Sequence, residues 1–349
     1  MSRIQVNAGG VLIGGGAPVT IQSMTNTKTE NIDATVEQIL ELEKAGCEIV
    51  RSSVYNEDCV KAIPEILKRI HIPLVADVHF DHRLAIGAIE AGVSKVRMNP
   101  GNIGSDAKVF ELARAAKANG VPIRIGVNGG SMEKEFLEKY GVTAEGLVNS
   151  ALRHVSLLEK AGFYDIVVSI KSSDVKTTVE ANRLFAKTMP YPLHIGVTEA
   201  GMGEDALIKS AAGLGSLLLD GIGDTVRVSI TGNVVQEVEA AQKILKAIGL
   251  RKSGVEVVSC PTCGRTRVDL AKIVDYVKKK LPKAGKPIKI AVMGCAVNGP
   301  GEAREADIGI AFGSKNAVVF EHGELKYSAL LPGVIDRFIQ DASEMMKTE

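Results

Sequence analysis

The chain has 349 residues, a formal net charge of +1 and 45% hydrophobic residues, which is typical of a globular protein with one large domain or two. The balanced charge argues against a dedicated nucleic-acid or membrane-surface protein, which would carry a large basic excess. Aromatic residues make up only 4% and Trp is absent, so aromatic platforms for single-stranded nucleic acid are also disfavoured.

The first part of the chain repeats one pattern. Residues 1–16 are predicted to form a hairpin, and from Ala17 to Gly249 short runs rich in Val and Ile alternate with amphipathic stretches such as Ala107–Asn119. Strands that alternate with helices indicate parallel β-α-β units, and eight such units favour a (β/α)8 TIM barrel over a doubly wound open sheet. The predicted strands are Val19–Ser23, Ile49–Ser53, Leu74–Val78, Lys95–Met98, Ile123–Val127, Ile166–Ile170, Leu193–Val197 and Thr225–Ile230.

The pattern changes after Gly249, so we predict a barrel domain at 1–250 and a second, small α/β domain at 251–349. The stripe from Leu270 to Leu281 predicts one helix of this domain, and a final helix is predicted from about Leu331 to Met346. The predicted strands are Val255–Val258, Lys286–Met293, Ile308–Phe312 and a hairpin over Ala317–Tyr327 that turns at His322–Gly323.

Cationic side chains end four of the predicted barrel strands. Barrel enzymes carry their active sites at this end of the strands, so the four cations are expected to converge on one mouth. They would repel one another unless an anion binds there, and the planar donors of Arg fit phosphate oxygens. The sequence therefore predicts a polyanionic ligand such as a diphosphate. The four residues are Arg51, Arg97, Arg124 and Lys171.

Two other interpretations of these cations remain open. Each charge could belong to a local ion pair on the rim, and Lys171 could be the Schiff-base amine of an aldolase. Glu199 is the best placed general acid or base, while Asp77 and His79 are further candidates or a pair that braces the rim. The remaining polar residues at the strand ends are Gln22, Ser23, Asn99, Asn128, Thr198, Arg227 and Ser229.

Three of the five cysteines lie in the small domain, with the spacing C-x2-C-x31-C. Cys260, Cys263 and Cys295 could hold an iron–sulfur cluster, with Glu302 as a non-cysteine ligand. A zinc site normally needs four Cys or His ligands, and a redox dithiol needs only the CxxC pair. The spacing favours the cluster and leaves the other two open. The remaining cysteines, Cys47 and Cys59, are predicted to be core residues.

The compartment follows from the same features. No apolar run approaches the ~18 residues that cross a bilayer, and the Gly-interrupted start of the chain lacks the apolar core of a secretory signal. An odd number of cysteines in a chain of this length does not indicate a disulfide framework. We therefore expect a cytoplasmic protein with reduced thiols and without membrane attachment.

Several segments together carry a family resemblance over nearly the whole chain. They are APVTIQSMTNT, ADVHF, VRMNPGNIG, IRIGVN, SIKSSD, HIGVTEAG, GIGDTVRVSITG, SCPTCGRT and MGCAVNGPGEAREADIGIAFG. With them the chain resembles the 4-hydroxy-3-methylbut-2-enyl diphosphate synthase family, also called IspG or GcpE, in its two-domain bacterial form. Small domains with SCPTCGR and NGPGEA are similar to those of sulfite and nitrite reductases.

The resemblance implies an iron–sulfur oxidoreductase that converts 2-C-methyl-D-erythritol 2,4-cyclodiphosphate by reductive dehydroxylation in the non-mevalonate isoprenoid pathway. It implies flavodoxin or ferredoxin as the electron donor and a head-to-tail homodimer. The implied ligands of a [4Fe–4S] cluster are Cys260, Cys263, Cys295 and Glu302. The positions that match the family's substrate contacts are Arg51, Arg97, Arg124, Lys171, Asn128, Thr198, Ser229 and Asn298, with Glu199 as the acid or base. The match at Arg51 is the weakest, because the segment IVRSSVYN diverges from the family pattern.

Overall fold

The computed structural model describes residues 2–99, 105–282, 284–295 and 305–347. The chain divides into two compact units, Met1–Leu250 and Arg251–Glu349. Candidate residues Asn298 and Glu302 lie outside the described residues. No helix within the described ranges is long and apolar enough to span a membrane.

The first unit is a closed eight-stranded parallel barrel, with the strand order β8-β7-β6-β5-β4-β3-β10-β9. The ends of this order meet, because Val168 pairs with Leu193 and its N–H donates to the Pro192 carbonyl at 2.8 Å. The predicted (β/α)8 barrel is confirmed, and a doubly wound open sheet is excluded. The strands are β3 (Thr20–Met24), β4 (Ile49–Ser53), β5 (Leu74–Val78), β6 (Lys95–Met98), β7 (Ile123–Asn128), β8 (Ile166–Lys171), β9 (His194–Ile195) and β10 (Thr225–Val226).

An antiparallel hairpin of β1 (Gln5–Ala8) and β2 (Val11–Gly14) precedes the barrel, as predicted. Its buried side chains pack against residues near the N-terminal ends of three barrel strands. The hairpin therefore plugs the end of the barrel opposite the predicted mouth. This apolar plug consists of Val6, Ala8, Ile13, Ile49, Val75 and Val167.

Amphipathic helices surround the barrel, and capping side chains mark where several of them start. Asn56, Asp174 and Asn233 each accept a hydrogen bond from a backbone N–H in the first turn that follows. Gly120 takes the left-handed conformation with φ of 63° and ends α4, as its sequence position predicts. The helices are α1 (Ile32–Lys44), α2 (Glu57–Leu67), α3 (His82–Glu90), α4 (Asp106–Asn119), α5 (Lys134–Tyr140), α6 (Ala144–Lys160), α7 (Val175–Thr188), α8 (Gly203–Leu219) and α9 (Val234–Ala247).

The last two barrel strands are shorter than predicted. The sequence predicts strands over Leu193–Val197 and Thr225–Ile230, whereas β9 and β10 have two residues each. At Gly196 the neighbouring backbone comes so close that an added Cβ would lie 2.3 Å from the Arg227 carbonyl oxygen. A glycine in a strand often marks such a close backbone approach, which interrupts the regular ladder.

The second unit contains a five-stranded mixed sheet in the order β11-β12-β13-β14-β15. Two helices, α10 (Leu270–Lys280) and α11 (Gly333–Met345), contribute Val277 and Phe338 to its buried core. The predicted hairpin turn is confirmed, since His322 and Gly323 have φ of 50° and 84°. The strands are β11 (Val255–Ser259), β12 (Ile288–Met293), β13 (Ile308–Phe312), β14 (Asn316–Glu321) and β15 (Glu324–Leu330).

Candidate active site

A cavity of about 170 Å³ lies at the C-terminal ends of the barrel strands. It brings together the four predicted cations, which lie on four different strands of the barrel and face its interior. Cationic and polar side chains dominate its walls, which fits an anionic ligand. The lining residues are Arg51, Asp77, His79, Arg97, Arg124, Asn128, Ser169, Lys171, Thr198, Arg227 and Ser229.

Asp77 is the counter-ion of two of these cations. Its carboxylate accepts a hydrogen bond from Arg97 Nη1 at 2.9 Å and lies 3.6 Å from Arg51 Nε. Burial alone would raise the pKa of Asp77, but the charges of Arg51 and Arg97 hold it well below its usual range. Asp77 is therefore ionised at neutral pH and fixes the two arginines.

His79 contacts the cluster of Asp77, Arg51 and Arg97 and is its most exposed member. Its Nε2 atom lies 2.8 Å from Arg97 Nη1 and accepts a hydrogen bond from it, because a guanidinium has only donors. The His79 side chain is 46% exposed. Burial lowers the pKa of Arg51 to about 10 while Asp77 opposes the shift, so Arg51 also remains charged at neutral pH.

Arg124 and Lys171 are buried in the same cavity without a carboxylate partner among the described residues. Burial, followed by repulsion from neighbouring cations, pulls the pKa of both side chains well below their ordinary values. A bound anion would offset both the burial and the repulsion between cations, and would raise both pKa values again. Arg227, by contrast, is paired with Glu237 of α9 at 3.3 Å.

Two glycines make room for the cations. An added Cβ at Gly126 would lie 2.5 Å from Arg97 Nε, and one at Gly196 would lie 3.0 Å from Lys171 Nζ. Both long side chains therefore lie across the barrel interior above residues that have no side chain of their own. The placement of glycine on β7 and after β9 thus shapes the cavity.

The other predicted mouth residues divide into those that line the cavity and those that do not. Asn128 is in register with Lys171 on the neighbouring strand, and Thr198 and Ser229 also line the cavity. Glu199 is exposed, has φ of 53° and does not belong to the lining. Ser169 lines the cavity although sequence analysis missed it; its position two residues before Lys171 on one strand was the available signal.

Three polar residues at the strand ends lie away from this cavity. Ser23 Oγ donates to Glu237 Oε2 at 3.0 Å on the helix side of the barrel wall. Gln22 and Asn99 are buried but do not line the cavity. These three strand-end residues therefore do not form the walls of the cavity.

The second unit has its own cavity, of about 140 Å³, lined by all three of its cysteines. The Gly294 N–H donates to Cys260 Sγ at 3.4 Å, and an added Cβ at Gly294 would lie 2.9 Å from Thr266 and 3.5 Å from that sulfur. Within the described ranges, no group of three or more His, Cys, Asp or Glu side chains is arranged to hold a metal ion. The lining residues are Cys260, Pro261, Thr262, Cys263, Arg265, Thr266, Met293 and Cys295.

These residues fit a cluster better than a single ion. Each thiolate of a four-iron cluster binds a different iron atom, so the thiolates stand apart around a shared volume. Three free thiols around one cavity, with a glycine N–H directed at a sulfur, match that chemistry. Cys47 and Cys59 are buried in the barrel core, as predicted, and burial raises the pKa of Cys47 to about 12.

The closed barrel and its cationic cavity define a (β/α)8 enzyme that acts on an anionic ligand. The family model described as the GcpE TIM-barrel domain matches residues 3–242, and that of the GcpE protein C-terminal domain matches residues 256–344. The chain therefore belongs to the GcpE family.

Curated relatives cover nearly the whole chain. A protein of Caldanaerobacter subterraneus subsp. tengcongensis named 4-hydroxy-3-methylbut-2-en-1-yl diphosphate synthase (flavodoxin) is 52% identical over 99% of this chain and 98% of its own length. A protein of Geobacillus thermodenitrificans with the same name is 55% identical over 92% and 86%. Dihydropteroate synthase from Stenotrophomonas maltophilia is similar in structure, with a TM-score of 0.51, 15% identity and coverage of 70% and 96%, which shows the barrel fold alone.

Proposed function

We propose that this chain converts 2-C-methyl-D-erythritol 2,4-cyclodiphosphate to 4-hydroxy-3-methylbut-2-enyl diphosphate in the non-mevalonate isoprenoid pathway. The observation that carries the proposal is the pair of buried cations, Arg124 and Lys171, that have no carboxylate partner within the described residues and share one cavity. The names of relatives more than 50% identical over almost the full length support the same reaction.

In this proposal residues 1–250 bind the diphosphate. Arg51 and Arg97 are held in place by Asp77, so they are preorganised to receive phosphate oxygens. Arg124 and Lys171 add positive charge that has no carboxylate partner among the described residues. As the ring opens, a phosphate oxygen becomes the leaving group, and fixed cations in the cavity stabilise its developing charge. Asn128, Thr198, Ser229 and Asn298 are proposed to contact the rest of the substrate.

Residues 251–349 are proposed to hold a [4Fe–4S] cluster on Cys260, Cys263, Cys295 and Glu302. When bound, the cluster would pass the two electrons of the reduction one at a time from the external donor to the substrate, and an iron held by a carboxylate would supply a hard Lewis acid for a substrate oxygen. The Gly294 N–H stabilises the Cys260 thiolate by donating to its sulfur. Glu199, which follows Thr198 at the mouth, is proposed to move the proton with which the hydroxyl leaves as water.

The proposed electron donor is flavodoxin, the carrier that the relatives' names print, with ferredoxin as the other candidate. We further propose a head-to-tail homodimer in the cytoplasm.

A Schiff-base aldolase on Lys171 is not favoured, since three arginines share the cavity with that amine and the relatives' names indicate a different reaction. An iron–sulfur electron carrier or redox sensor would leave the cationic cavity unexplained.

The test uses the full chain, purified and reconstituted with iron and sulfide under anaerobic conditions. Addition of the cyclic diphosphate and reduced flavodoxin should yield the linear allylic diphosphate, measured by mass spectrometry. The Lys171→Met variant serves as a binding-deficient control with the same cluster spectrum. Failure of the reconstituted wild type to convert the substrate, together with borohydride trapping of a carbonyl compound on Lys171, would support the aldolase instead.

A further inference from the structure

A second polar group lies inside the barrel next to the apolar plug, because Gln22, Lys95 and Arg124 are each in register with a plug residue on a neighbouring strand. We call it the interior layer. Its residues alternate along their strands with outward-facing core residues such as Val96 and Ile195, so their side chains face the barrel interior. None of them is more than 2% exposed. The interior layer consists of Gln22, Lys95, Arg124 and His194.

Polar atoms of the interior layer have no hydrogen-bond partner among the described residues. They are Gln22 Nε2 and Oε1, Lys95 Nζ, Arg124 Nε and Nη1, and both ring nitrogens of His194. Each of these atoms is closed to solvent, so the two Arg124 nitrogens do not open into the substrate cavity that Arg124 also lines. Buried polar groups in native proteins are nearly always paired, which indicates that a ligand belongs here.

The interior layer is rich in donors and in positive charge. Lys95 and the two Arg124 nitrogens present only N–H donors, whereas Gln22 Oε1 and one ring nitrogen of His194 are the acceptors. Asp77 pairs with Arg51 and Arg97, and Glu237 pairs with Arg227, so neither carboxylate serves Lys95. Burial and the Arg124 and Arg51 charges pull the pKa of Lys95 well below its ordinary value.

The excess of donors and the positive charge of the interior layer indicate which ligand it binds. A water molecule brings as many donors as acceptors, so it removes neither the excess of donors nor the positive charge. A small anion removes both, because it only accepts hydrogen bonds and carries the opposite charge. The closure to solvent restricts its size, and Lys95 does not line the substrate cavity, so the substrate's phosphates do not serve it.

We propose that Gln22, Lys95, Arg124 and His194 bind one small monovalent anion of the halide class inside the barrel, beneath the substrate. The ion is not consumed in the reaction. It compensates Lys95 and satisfies the Arg124 nitrogens that face away from the cavity, and so it fixes the guanidinium for the diphosphate above. This site goes beyond the proposed function and stands whether or not that function is correct.

Anomalous diffraction locates the ion directly. Crystals of the full chain grown in sodium bromide should show an anomalous peak in contact with Lys95 Nζ and Arg124. Crystals of Lys95→Met grown in the same solution should lack that peak while keeping bromide peaks on the surface. A wild-type map with surface bromide peaks but without a peak in the interior layer overturns the proposal.

Thermal unfolding gives an independent test in solution. At constant ionic strength, each tenfold rise in chloride above its Kd should raise the folding equilibrium constant tenfold, whereas gluconate should have no effect because it is too large. Lys95→Met should lose this dependence, and Lys68→Met, which alters an exposed lysine of the same unit, should keep it. If Lys95→Met does not fold, Gln22→Met takes its place. Coincident chloride and gluconate series for the wild type contradict the site.

Discussion

Asp77 and Lys171 illustrate two ways in which single buried charges contribute to the site. Asp77 pairs with both Arg51 and Arg97 and holds them in one geometry, whereas Lys171 is buried without such a partner in the described part of the chain. Burying a charge is costly unless it is paired, so Lys171 stores a penalty that an anionic ligand removes. Lys171 therefore lowers the stability of the free protein but favours the binding of an anionic ligand.

Replacing Lys171 by Met tests that opposition. The variant removes an uncompensated buried cation and keeps an apolar chain of similar length, so the free energy of unfolding without substrate should rise by on the order of 1 kcal/mol. Chemical denaturation of the anaerobic protein measures it, with Lys61→Met as an exposed control that should stay unchanged. A clear loss of stability in Lys171→Met would show that the amine is compensated in the free protein.

Asp77 should make stability depend on acid pH. Its folded pKa lies below the unfolded value of about 3.9, so its contribution is complete above that pH and is lost as the pH falls through the folded pKa. Asp77→Asn should cost about 3–5 kcal/mol at pH 7, because two buried cations lose their partner. Denaturation between pH 7 and pH 2 should show this difference shrinking below about pH 4. A difference that stays constant with pH contradicts the assignment.

At the scale of elements, the positions of the eight barrel strands were predictable, whereas the lengths of the last two were not. The bounds of β4, β5 and β6 agree with the sequence prediction, since each is a short apolar run with inward polar residues. β9 and β10 are shorter because Gly196 brings two backbone segments together, a long-range approach that no local pattern encodes. The four cations share one cavity as predicted, although Arg51 and Arg124 lie within β4 and β7 and not at the ends of these strands. Glu199 is exposed and has a left-handed backbone, which no local pattern predicts.

The glycine on β7 offers a test of how strands shape the cavity. In Gly126→Ala the added methyl would lie 2.5 Å from Arg97 Nε, so Arg97 must move away from its position over the barrel. Loss of one charge-assisted hydrogen bond to the diphosphate should weaken substrate binding roughly ten- to a hundredfold. Gly215→Ala on α8, where an added Cβ meets nothing within 4 Å, should leave binding unchanged. Unchanged affinity in Gly126→Ala would show that Arg97 does not contact substrate.

At the scale of the whole molecule, the two units carry separate chemistry. The barrel gathers cations around one cavity, and the second unit gathers three thiols around another. The grouping of Cys260, Cys263 and Cys295 was predictable from CxxC spacing and the later cysteine. The proposed fourth ligand, Glu302, rests on the family resemblance, since it lies outside the described residues.

Cysteine replacements test the division between the units. Cys260→Ser, Cys263→Ser and Cys295→Ser should each lose most of the iron after anaerobic reconstitution, because a hydroxyl is a poor substitute for a thiolate ligand. Cys47→Ala and Cys59→Ala should retain it, since both thiols are buried in the barrel core. Iron content and the visible spectrum report the outcome. Full retention of iron in Cys260→Ser together with loss of iron in Cys47→Ala would place the cluster in residues 1–250 and contradict this assignment.

Titration of the cyclic diphosphate into the anaerobic protein tests the central claim, that one diphosphate is bound by all four cations of the cavity. Calorimetry on Arg51→Ala, Arg97→Ala, Arg124→Ala and Lys171→Ala should show affinity reduced roughly ten- to a hundredfold in each, since a charge-assisted hydrogen bond contributes about 1.5–3 kcal/mol. The cluster spectrum without substrate should match the wild type in every variant. Unaltered affinity across all four would contradict this claim and would mean that the substrate binds elsewhere.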